Sequence, residues 1–404
     1  MRIGIFFGGT SREREISFAG GRTVFDNLDK GLFQPVPVFV DSLGNFILLD
    51  WQYLYKGTIR DFYPPAAAYP PSRHAWQLYI ENLGELTDEA LNELISHVGR
   101  RVEASELPRL MDFAFLALHG PGGEDGAIQG LLEWVGIPYS GSGILPSALG
   151  IDKIAQKRLM QAVGLATPKF RVEDFNYQHA VDMLPDVVAE LGLPLVVKAP
   201  RQGSSIGVSI VREANPQLFQ EAADRALFVR HLYRADWEKL DESGQLAWVR
   251  QLADIREGIG MPVEVSFSRR RDGRWQDAQQ VIAHPEELFD FIKWSFTELA
   301  AGATELQDEL ELSGVHSNDF TKTYPQQAHS YLTLQSLTGE TQVLVEQFVA
   351  GREFSCIVVE DERGQPLALP PTEIIKGTEV FDYRAKYLPG LARKVTPIDL
   401  PEAD

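Results

Sequence analysis

Cysteine is almost absent from this chain, since Cys356 is the single one among 404 residues. An internal disulfide is therefore excluded, and so is a metal site built from several thiolates. The apolar run around this residue, "EFSCIVVE", predicts a buried strand. The fold must accordingly be held together without covalent cross-links.

Long apolar runs are missing as well. Nowhere does the chain reach the roughly 18 consecutive apolar residues that indicate a membrane-spanning helix. The N-terminus has about six apolar residues before charged ones begin, too few for the apolar segment of a secretory signal. We therefore predict a cytoplasmic enzyme or binding protein with no membrane partner.

Basic residues are scarce relative to acidic ones, with 38 lysines and arginines against 57 aspartates and glutamates and a net charge of -19. Such a chain repels nucleic acid and anionic membranes, so neither is an expected partner. Any anionic ligand must be held by a few local cations and backbone amides. The apolar content of 44% is that of an ordinary globular protein, and the length suggests two or three domains.

The first 150 residues have the pattern of an α/β domain. A strand, a turn and a helix are predicted in succession over "RIGIFFGGTSREREISFAGGRTVFDNL", and "QPVPVFV" resumes a strand. This order begins a parallel, Rossmann-like sheet, with further strands predicted at 113–120 and 136–143. Because ligands bind where such strands end, we expect their glycine-rich ends to face one crevice.

Two ionisable side chains follow these strand ends. Glu13 comes after the first glycine turn, where a carboxylate could bind a substrate ammonium or simply stabilise the start of a helix. His119 ends a buried strand before Gly120, and it is either a core or loop histidine or part of the crevice. Spacing leaves these alternatives open, and neither a Ser-His-Asp set nor metal-spaced histidines and cysteines can be recognised.

A second candidate site begins at Lys198, which ends the apolar strand "LPLVVKAP", and continues in the loop "RQGSSIGVS", residues 201–209. The loop lacks the Gly-Lys-Ser/Thr ending of a P-loop and leads into a strand, so it is predicted as a hairpin. It is either a surface turn or a phosphate-binding loop with the hydroxyls of Ser204 and Ser205. Lys198 favours phosphate, because an unpaired ammonium beside a buried strand is costly.

Three further charged residues have two interpretations each. Glu346, in "LVEQFV", and Glu353 could hold an adenine amino group and a ribose hydroxyl, or be solvated acids on an edge strand. Lys153 opens a helix, where the helix dipole disfavours positive charge. It either faces an anion or is a solvated surface lysine.

Residues 212–342 are predicted as a mostly helical region, with helical periodicity in "FQEAADRALFVRHLY" and a hairpin at "SRRRDGRW". The region carries about half of the excess negative charge of the chain. It also contains four of the seven tryptophans, so it is not a disordered linker.

Six segments are long and specific enough to indicate a family. In chain order they are "FFGGTSREREISF", "LHGPGGEDGAIQGLLEWVGIPYSGSG", "SALGIDKIAQKRLMQAVGL", "LPLVVKAPRQGSSIGVS", "VLVEQFVAGREFS" and "FDYRAKY". Over roughly residues 1–211 and 343–404 the chain resembles the D-alanine–D-alanine ligases, members of the ATP-grasp superfamily. The resemblance implies that ATP phosphorylates one D-alanine and that the amine of a second attacks the acyl phosphate, which yields a dipeptide for peptidoglycan.

The resemblance also implies roles for individual residues. Glu13 would bind the ammonium of the first amino acid, and His119 would line the substrate site. Ser204 and Tyr387 would complete a hydrogen-bonded set with Glu13, and Tyr387 favours D-alanine as the second substrate. The remaining implied contacts are to ATP: Lys153, Lys198, Ser204, Ser205 and Lys386 at the phosphates, Glu346, Gln347, Phe348 and Val349 at the adenine, and Glu353 at the ribose. Such a site works by positioning and charge neutralisation.

Three parts are implied by the resemblance: a substrate-binding domain at 1–150, a central ATP-grasp subdomain at 151–350 interrupted by an insertion at 212–342, and the start of a C-terminal lobe at 351–404. The family continues past "PIDLPE" into the segment whose aspartate and Glu-x-Asn pair bind Mg²⁺ or Mn²⁺. We therefore expect an incomplete ATP-grasp domain without metal ligands, and no measurable turnover from these 404 residues.

Two other hypotheses follow from this departure. The chain is either a nucleotide-binding or assembly module without catalysis, or one part of a split ligase whose C-terminal lobe comes from another chain. Homodimers are usual in the family, so a homodimer is the assembly that the resemblance implies.

Overall fold

The computed structural model describes residues 1–174, 180–271, 274–313, 331–376 and 392–399. The chain divides into two compact units. Unit 1 combines Met1–Gln156 with Leu227–Thr341, and unit 2 combines Lys157–Ala226 with Gln342–Asp404. Most of the predicted insertion therefore groups with the N-terminal residues.

Strands and helices alternate irregularly along the chain. The strands are β1 (Arg2–Gly8), β2 (Gln34–Val40), β3 (Phe46–Leu49), β4 (Gly99–Val102), β5 (Phe113–Leu116), β6 (Phe170–Asp174), β7 (Leu195–Lys198), β8 (Ser209–Val211), β9 (Val229–Tyr233), β10 (Val263–Arg271), β11 (Arg274–Ile282), β12 (Tyr331–Ser336), β13 (Gln342–Gln347), β14 (Glu353–Ser355), β15 (Val358–Glu360), β16 (Pro366–Ala368), β17 (Thr372–Lys376) and β18 (Ala392–Val395). The α-helices are α1 (Arg14–Asn27), α2 (Asp88–Ser96), α3 (Leu107–Leu110), α4 (Ala127–Val135), α5 (Ile144–Ile151), α6 (Lys153–Ala162), α7 (Ala180–Leu191), α8 (Pro216–Leu227), α9 (Arg234–Trp237), α10 (Glu242–Ala253) and α11 (Pro285–Ser313). Within the described ranges no helix is both long and apolar enough to cross a membrane.

The N-terminal sheet of unit 1 has the order β4-β3-β2-β1-β5. β1 runs parallel to both β2 and β5, as predicted, while β3 and β4 extend the sheet as antiparallel strands. The third predicted strand, 136–143, is reduced to one parallel bridge between Ala114 and Tyr139. The Rossmann-like beginning is confirmed, because α1 follows β1 and leads into the parallel strand β2.

Alternation along β1 divides the core of this sheet into two layers. Ile5 and Phe7 pack on one face with Phe18 of α1, whereas Phe6 packs on the other with Leu132 of α4. Burial on both faces is typical of parallel strands. It fixes the register of β1, because a slip of one residue would exchange the two layers. The loop that follows β1 is thereby held at a defined position.

Unit 1 contains a second, antiparallel sheet with the order β11-β10-β12-β9. The predicted hairpin is confirmed as β10 and β11, and helices α9 to α11 accompany it. The predicted helical pattern of "FQEAADRALFVRHLY" is wrong after Leu227, because Phe228 has a φ of +58° and the next five residues form β9. β9 pairs with the distant β12, a partner that local periodicity cannot reveal.

The larger sheet of unit 2 is antiparallel, with the order β6-β13-β7-β8. β7 and β8 form the predicted hairpin around the loop 200–208. β13 lies between β6 and β7, and its side chains Val343, Leu344 and Val345 are fully buried. The other strands of unit 2 form the sheet β14-β17-β18 and the pair β15-β16.

The prediction of a buried strand around Cys356 is wrong. Its segment divides between β14 and β15, which belong to different sheets, and the thiol is exposed. Ile357 and Val358 are 64% and 58% exposed. An apolar run alone does not establish burial, because apolar atoms also make up much of a folded surface.

Candidate functional site

Two glycine-rich loops of unit 1 meet at one edge of the parallel sheet, because β1 and β5 are neighbouring parallel strands. The Ser11 hydroxyl donates to the carbonyl of His119 over 2.7 Å and accepts the amide of Glu13 at 3.1 Å. One serine thus ties the loop after β1 to the loop after β5. The structure therefore brings Glu13 and the segment of His119 together, as the shared crevice predicts.

Glu13 is 4% exposed and immediately precedes α1. Its Oε2 atom lies 3.1 Å from the position that a Cβ atom on Gly120 would occupy. The φ of Gly120 is +69°, in the region that favours glycine. A glycine after His119 therefore allows the loop to turn and lets the carboxylate approach it. His119 itself is half-buried.

Two acids in this second loop were not predicted as site residues. Glu124 Oε2 accepts the amide of Gly120 at 2.7 Å, and Asp125 Oδ2 accepts the amide of Gly122 at 2.7 Å. Asp125 also accepts the amide of Ala127 at 3.0 Å, where α4 begins. The signal for them was the sequence "GGEDG", since acids beside glycine turns commonly accept backbone amides. They shape the loop that faces Glu13.

The centre of the sheet in unit 2 holds a buried ionic cluster. Glu346, 6% exposed, accepts hydrogen bonds from Lys198 Nζ at Oε1 and from Lys157 Nζ at Oε2, the latter over 2.8 Å. Lys157 also donates to Thr167 Oγ1 over 2.8 Å, and its ammonium lies 5.1 Å from the ring centroid of Phe170. The alternative of a solvated acid on an edge strand is therefore wrong for Glu346, because β13 is a central strand.

Lys157 was not predicted as a site residue. The available signal was its spacing, since it lies four residues after Lys153 in "DKIAQK" and one helical turn places such residues on the same side of a helix. Lys153 begins α6 and is half-buried. The preceding Asp152 accepts the amides of Ile154 and Ala155 at 2.9 and 3.0 Å, so a carboxylate accompanies the lysine at the helix start.

The residues after Gln347 leave the sheet. The amides of Gln347 and Phe348 donate to Lys169 and Pro194 over 3.0 and 3.2 Å, while Val349 is 66% exposed. Glu353 is half-buried in β14, an edge strand of the separate sheet β14-β17-β18. The predicted adenine and ribose contacts thus come from two sheets of unit 2.

The loop between β7 and β8 has an unusual backbone. Ser204 and Ser205 have φ values of +49° and +58°, and Gly207 follows at +71°. Such a conformation costs a non-glycine residue about 1–3 kcal/mol, and it tends to occur at functional sites. Ser204 is also 9% exposed, whereas a plain surface turn would leave it open to solvent.

Two predicted residues, Lys386 and Tyr387, lie outside the described residues. The others lie in both units: Glu13, His119 and Lys153 in unit 1, and Lys198, the two serines and Glu346 to Glu353 in unit 2. In the described part of the chain no three histidine, cysteine, aspartate or glutamate side chains gather as a metal site. No metal ligand is assigned among the described residues.

Two protein-family models match this chain. Residues 2–142 match the D-ala D-ala ligase N-terminus family, and residues 159–231 and 323–404 match the D-ala D-ala ligase C-terminus family. The unmatched residues 232–322 lie within the predicted insertion. The fold resembles the VanG D-Ala:D-Ser ligase from Enterococcus faecalis, with a TM-score of 0.50, 18% identity, and coverage of 100% of this chain and 78% of that one.

Curated relatives are similar over much of the chain. It is 28% identical to the D-alanine–D-alanine ligase of Desulforudis audaxviator over 99% of this chain and 74% of the relative. For the ligase of Pelotomaculum thermopropionicum the identity is 30%, over 72% of this chain and 57% of the relative. A shorter stretch is 56% identical to the ligase of Cupriavidus taiwanensis, over 26% and 30% of the two chains. With both family models matched and the expected strand-end loops in place, this chain belongs to the D-alanine–D-alanine ligase family.

Proposed function

We propose that this chain binds ATP and D-alanine for the joining of two D-alanines into D-alanyl-D-alanine, a ligation that serves peptidoglycan synthesis. Its family membership and the two charged clusters, one in each unit, support the proposal. We further propose that it works in the cytoplasm as a homodimer, in keeping with the resemblance.

The observation that carries the proposal is the buried carboxylate of Glu13 beside the loop of His119 and Gly120. A carboxylate offers negative charge and two acceptor oxygens to a ligand that carries a cation. The ammonium of an amino acid supplies both a charge and three donors. Glu13 therefore orients the first D-alanine through its amino group and leaves the carboxylate of the substrate free to react.

The proposed nucleotide site is the cluster of Lys198, Lys157 and Glu346 in unit 2. Lys198 is 25% exposed at its side chain, whereas Lys157 is 9% exposed. Lys198 is therefore the lysine that can exchange a carboxylate partner for a phosphate, while Lys157 keeps Glu346 in place. The backbone amides and hydroxyls of the Ser204–Ser205 loop, which follows Lys198 directly, add uncharged donors to the phosphates.

The reaction then requires mainly positioning and charge neutralisation. A carboxylate oxygen of the first D-alanine takes the γ-phosphoryl group from ATP, and ADP leaves. The amine of the second D-alanine attacks the carbonyl carbon of the acyl phosphate, a C–N bond forms, and phosphate leaves as the amine loses a proton. Lysine side chains at the phosphates offset the charge that develops on the transferred group.

Glu13→Gln tests the proposed D-alanine site. Loss of the charge should weaken D-alanine binding about tenfold or more, because hydrogen bonds between charged groups contribute about 1.5–3 kcal/mol. ATP affinity should not change. Isothermal titration calorimetry with each ligand measures both quantities, and D-alanine-dependent phosphate release measures the reaction itself.

Glu133→Gln is the matched control, since Glu133 is exposed on α4 and accepts the Tyr139 hydroxyl at 2.7 Å. It should leave both affinities as in the original chain. Nucleotide binding without any D-alanine binding would instead support the non-catalytic module. Equal D-alanine affinity in the Glu13→Gln variant would contradict the assignment of Glu13.

A further inference from the structure

The side chain of Arg12 leaves the Glu13 loop in the direction of the second sheet of unit 1. Its Nη1 donates to the carbonyl of Ile255 over 2.8 Å, and its Nη2 donates to the carbonyl of Ile259 over 2.7 Å. The guanidinium carbon lies 3.8 Å from the ring centroid of Phe228, and Ser336 Oγ is 3.4 Å from Nη2. One side chain of the N-terminal loop is thus enclosed by residues 228–336.

The segment 254–260, whose carbonyls accept the Arg12 hydrogen bonds, is held by backbone hydrogen bonds of its own. Ile259 and Gly260 both donate their amides to the carbonyl of Leu252, and Gly258 donates to Asp254 over 2.8 Å, so the segment 254–260 folds back on the end of α10. Arg12 is 5% exposed. Burial lowers the pKa of its guanidinium to about 9, and the charge of Arg14 acts in the same direction. A buried cation is costly to desolvate, so its N–H groups need hydrogen-bond acceptors.

The same segment contacts the Glu13 loop a second time. Arg60 Nη1 lies 2.9 Å from Asp254 Oδ2, and its Nε lies 3.9 Å from Glu15 Oε1. Glu15 also accepts the amide of Ile59 at 3.1 Å. Arg12, directly before Glu13, binds the segment 254–260, and Glu15, two residues after Glu13, is connected to that segment through Arg60.

Glu13 has little freedom between these connections. Its amide is bound by Ser11, its neighbour Arg12 is fixed by two carbonyls of another segment, and the next residue, Arg14, pairs with the buried Glu81 over 2.9 Å. These contacts fix the backbone from which the Glu13 side chain projects. The contacts of Arg12 come from residues 228, 255, 259 and 336, of which 255 and 259 lie in the stretch that the family model does not match.

We propose that Arg12 is a positioning residue for Glu13, and that the segment 254–260 supports the amino-acid site from outside the matched family regions. The inference rests on the proposed function, because it assumes that Glu13 holds the D-alanine ammonium. Ile255 and Ile259, in the unmatched stretch, then affect D-alanine affinity because their carbonyls hold Arg12. Displacement of a binding group by a fraction of an ångström can be enough to weaken recognition.

Arg12→Ala and Arg12→Lys test this role. Lysine keeps the charge but has no fork that can reach both carbonyls, so it should not replace arginine. We expect Arg12→Ala to weaken D-alanine binding about tenfold and Arg12→Lys about threefold or more, with ATP affinity unchanged in both. Calorimetric titration of the folded variants with D-alanine and with ATP separates the two ligands, and Glu13→Gln serves as the reference for a lost ammonium contact.

Arg73→Ala is the matched control. Arg73 also links the N-terminal segment to α11, through Glu286 at 2.8 Å and Asp290 at 2.6 Å, but its side chain is 64% exposed and lies outside the Glu13 loop. It should bind D-alanine as the original chain does. If Arg12→Ala does not fold, Arg12→Lys decides the question.

The role of Arg12 and the proposed function can be refuted separately. Normal D-alanine affinity in Arg12→Lys or in a folded Arg12→Ala variant, with weakened affinity in Glu13→Gln, would overturn the role of Arg12 only. Equal loss of D-alanine and ATP affinity in the Arg12 variants would indicate general destabilisation and would also overturn it. If Glu13→Gln binds D-alanine normally, the proposed function fails, and this inference fails with it.

Discussion

Removal of the charge on Glu346 should strongly destabilise unit 2. Glu346→Gln leaves Lys157 and Lys198 facing one neutral amide in place of a carboxylate that each contacts through a separate oxygen. Breaking a buried pair by removal of one partner costs about 3–5 kcal/mol. Because the Lys198 side chain is 25% exposed and can turn towards water, we expect the lower end of this range, about 3 kcal/mol.

Two spectroscopic probes locate the effect. All seven tryptophans lie in the residue ranges of unit 1, so tryptophan emission reports that unit, while far-ultraviolet circular dichroism reports both. In urea, Glu346→Gln should shift part of the dichroism transition to lower concentration without an equal shift in emission. The free energy of unfolding follows from linear extrapolation of the unit 2 transition.

Glu190→Gln is the control for the substitution itself. Glu190 lies in unit 2, is 56% exposed at its side chain and pairs with Arg171 at 3.6 Å, so its loss should change stability by no more than about 0.5 kcal/mol. Equal stability of Glu346→Gln and Glu190→Gln would refute the stabilising role of the Glu346 charge. A double variant with Lys157→Met should lose less than the sum of the single variants, by about 1–3 kcal/mol, because the two residues interact directly.

The remaining predictions concern one glycine and one aspartate. Gly207→Ala should destabilise the chain by about 1–3 kcal/mol in thermal or urea unfolding, because φ is +71° and the new Cβ would lie 2.9 Å from Ala199 Cβ. Gly364→Ala is the control: φ is +73° there, but the new Cβ would lie in open space, so the loss of stability should be smaller. Burial alone would raise the pKa of Asp254, but the hydrogen bond and charge of Arg60 outweigh it and bring the pKa to about 2. This is below the roughly 3.9 of an unfolded aspartate, so the ionised carboxylate stabilises the fold fully above about pH 4 and loses that effect as the pH falls through about 2. Asp254→Asn should therefore be less stable than the original chain by about 1–2 kcal/mol at pH 7, and the difference should disappear at about pH 1; a constant difference across this range would contradict the role of the Asp254 charge.

The position of Glu13 beside the His119 loop could be predicted because it depends on local patterns. A buried strand followed by a glycine turn and a helix is readable from periodicity, and parallel neighbours place their strand ends at one edge. Glu124 and Asp125 were also within reach, since their contacts stay within a few residues of the chain. Contacts between residues that are close in the chain can be predicted from local sequence patterns.

The ionic cluster of Lys157, Lys198 and Glu346 depends on sheet pairing that local patterns do not record. In β13 the residue opposite Lys198 is Leu344, and Glu346 pairs with Val196 in the same register. That register decides that the carboxylate points to the two lysines and not to solvent. The strand β9 was missed for the same reason, because its partner β12 is distant in sequence.

By itself the sequence determined that the chain is acidic, nearly free of cysteine, α/β at its N-terminus, and similar to D-alanine–D-alanine ligases through six ordered segments. Only the tertiary structure decided that Arg12 is enclosed by residues 228–336, and that Glu346 is shared by two lysines. The physical reason is the range of the interactions. Side-chain periodicity and turn chemistry act over a few residues, whereas a buried guanidinium or carboxylate is satisfied by whichever distant groups the packed fold places within hydrogen-bond reach.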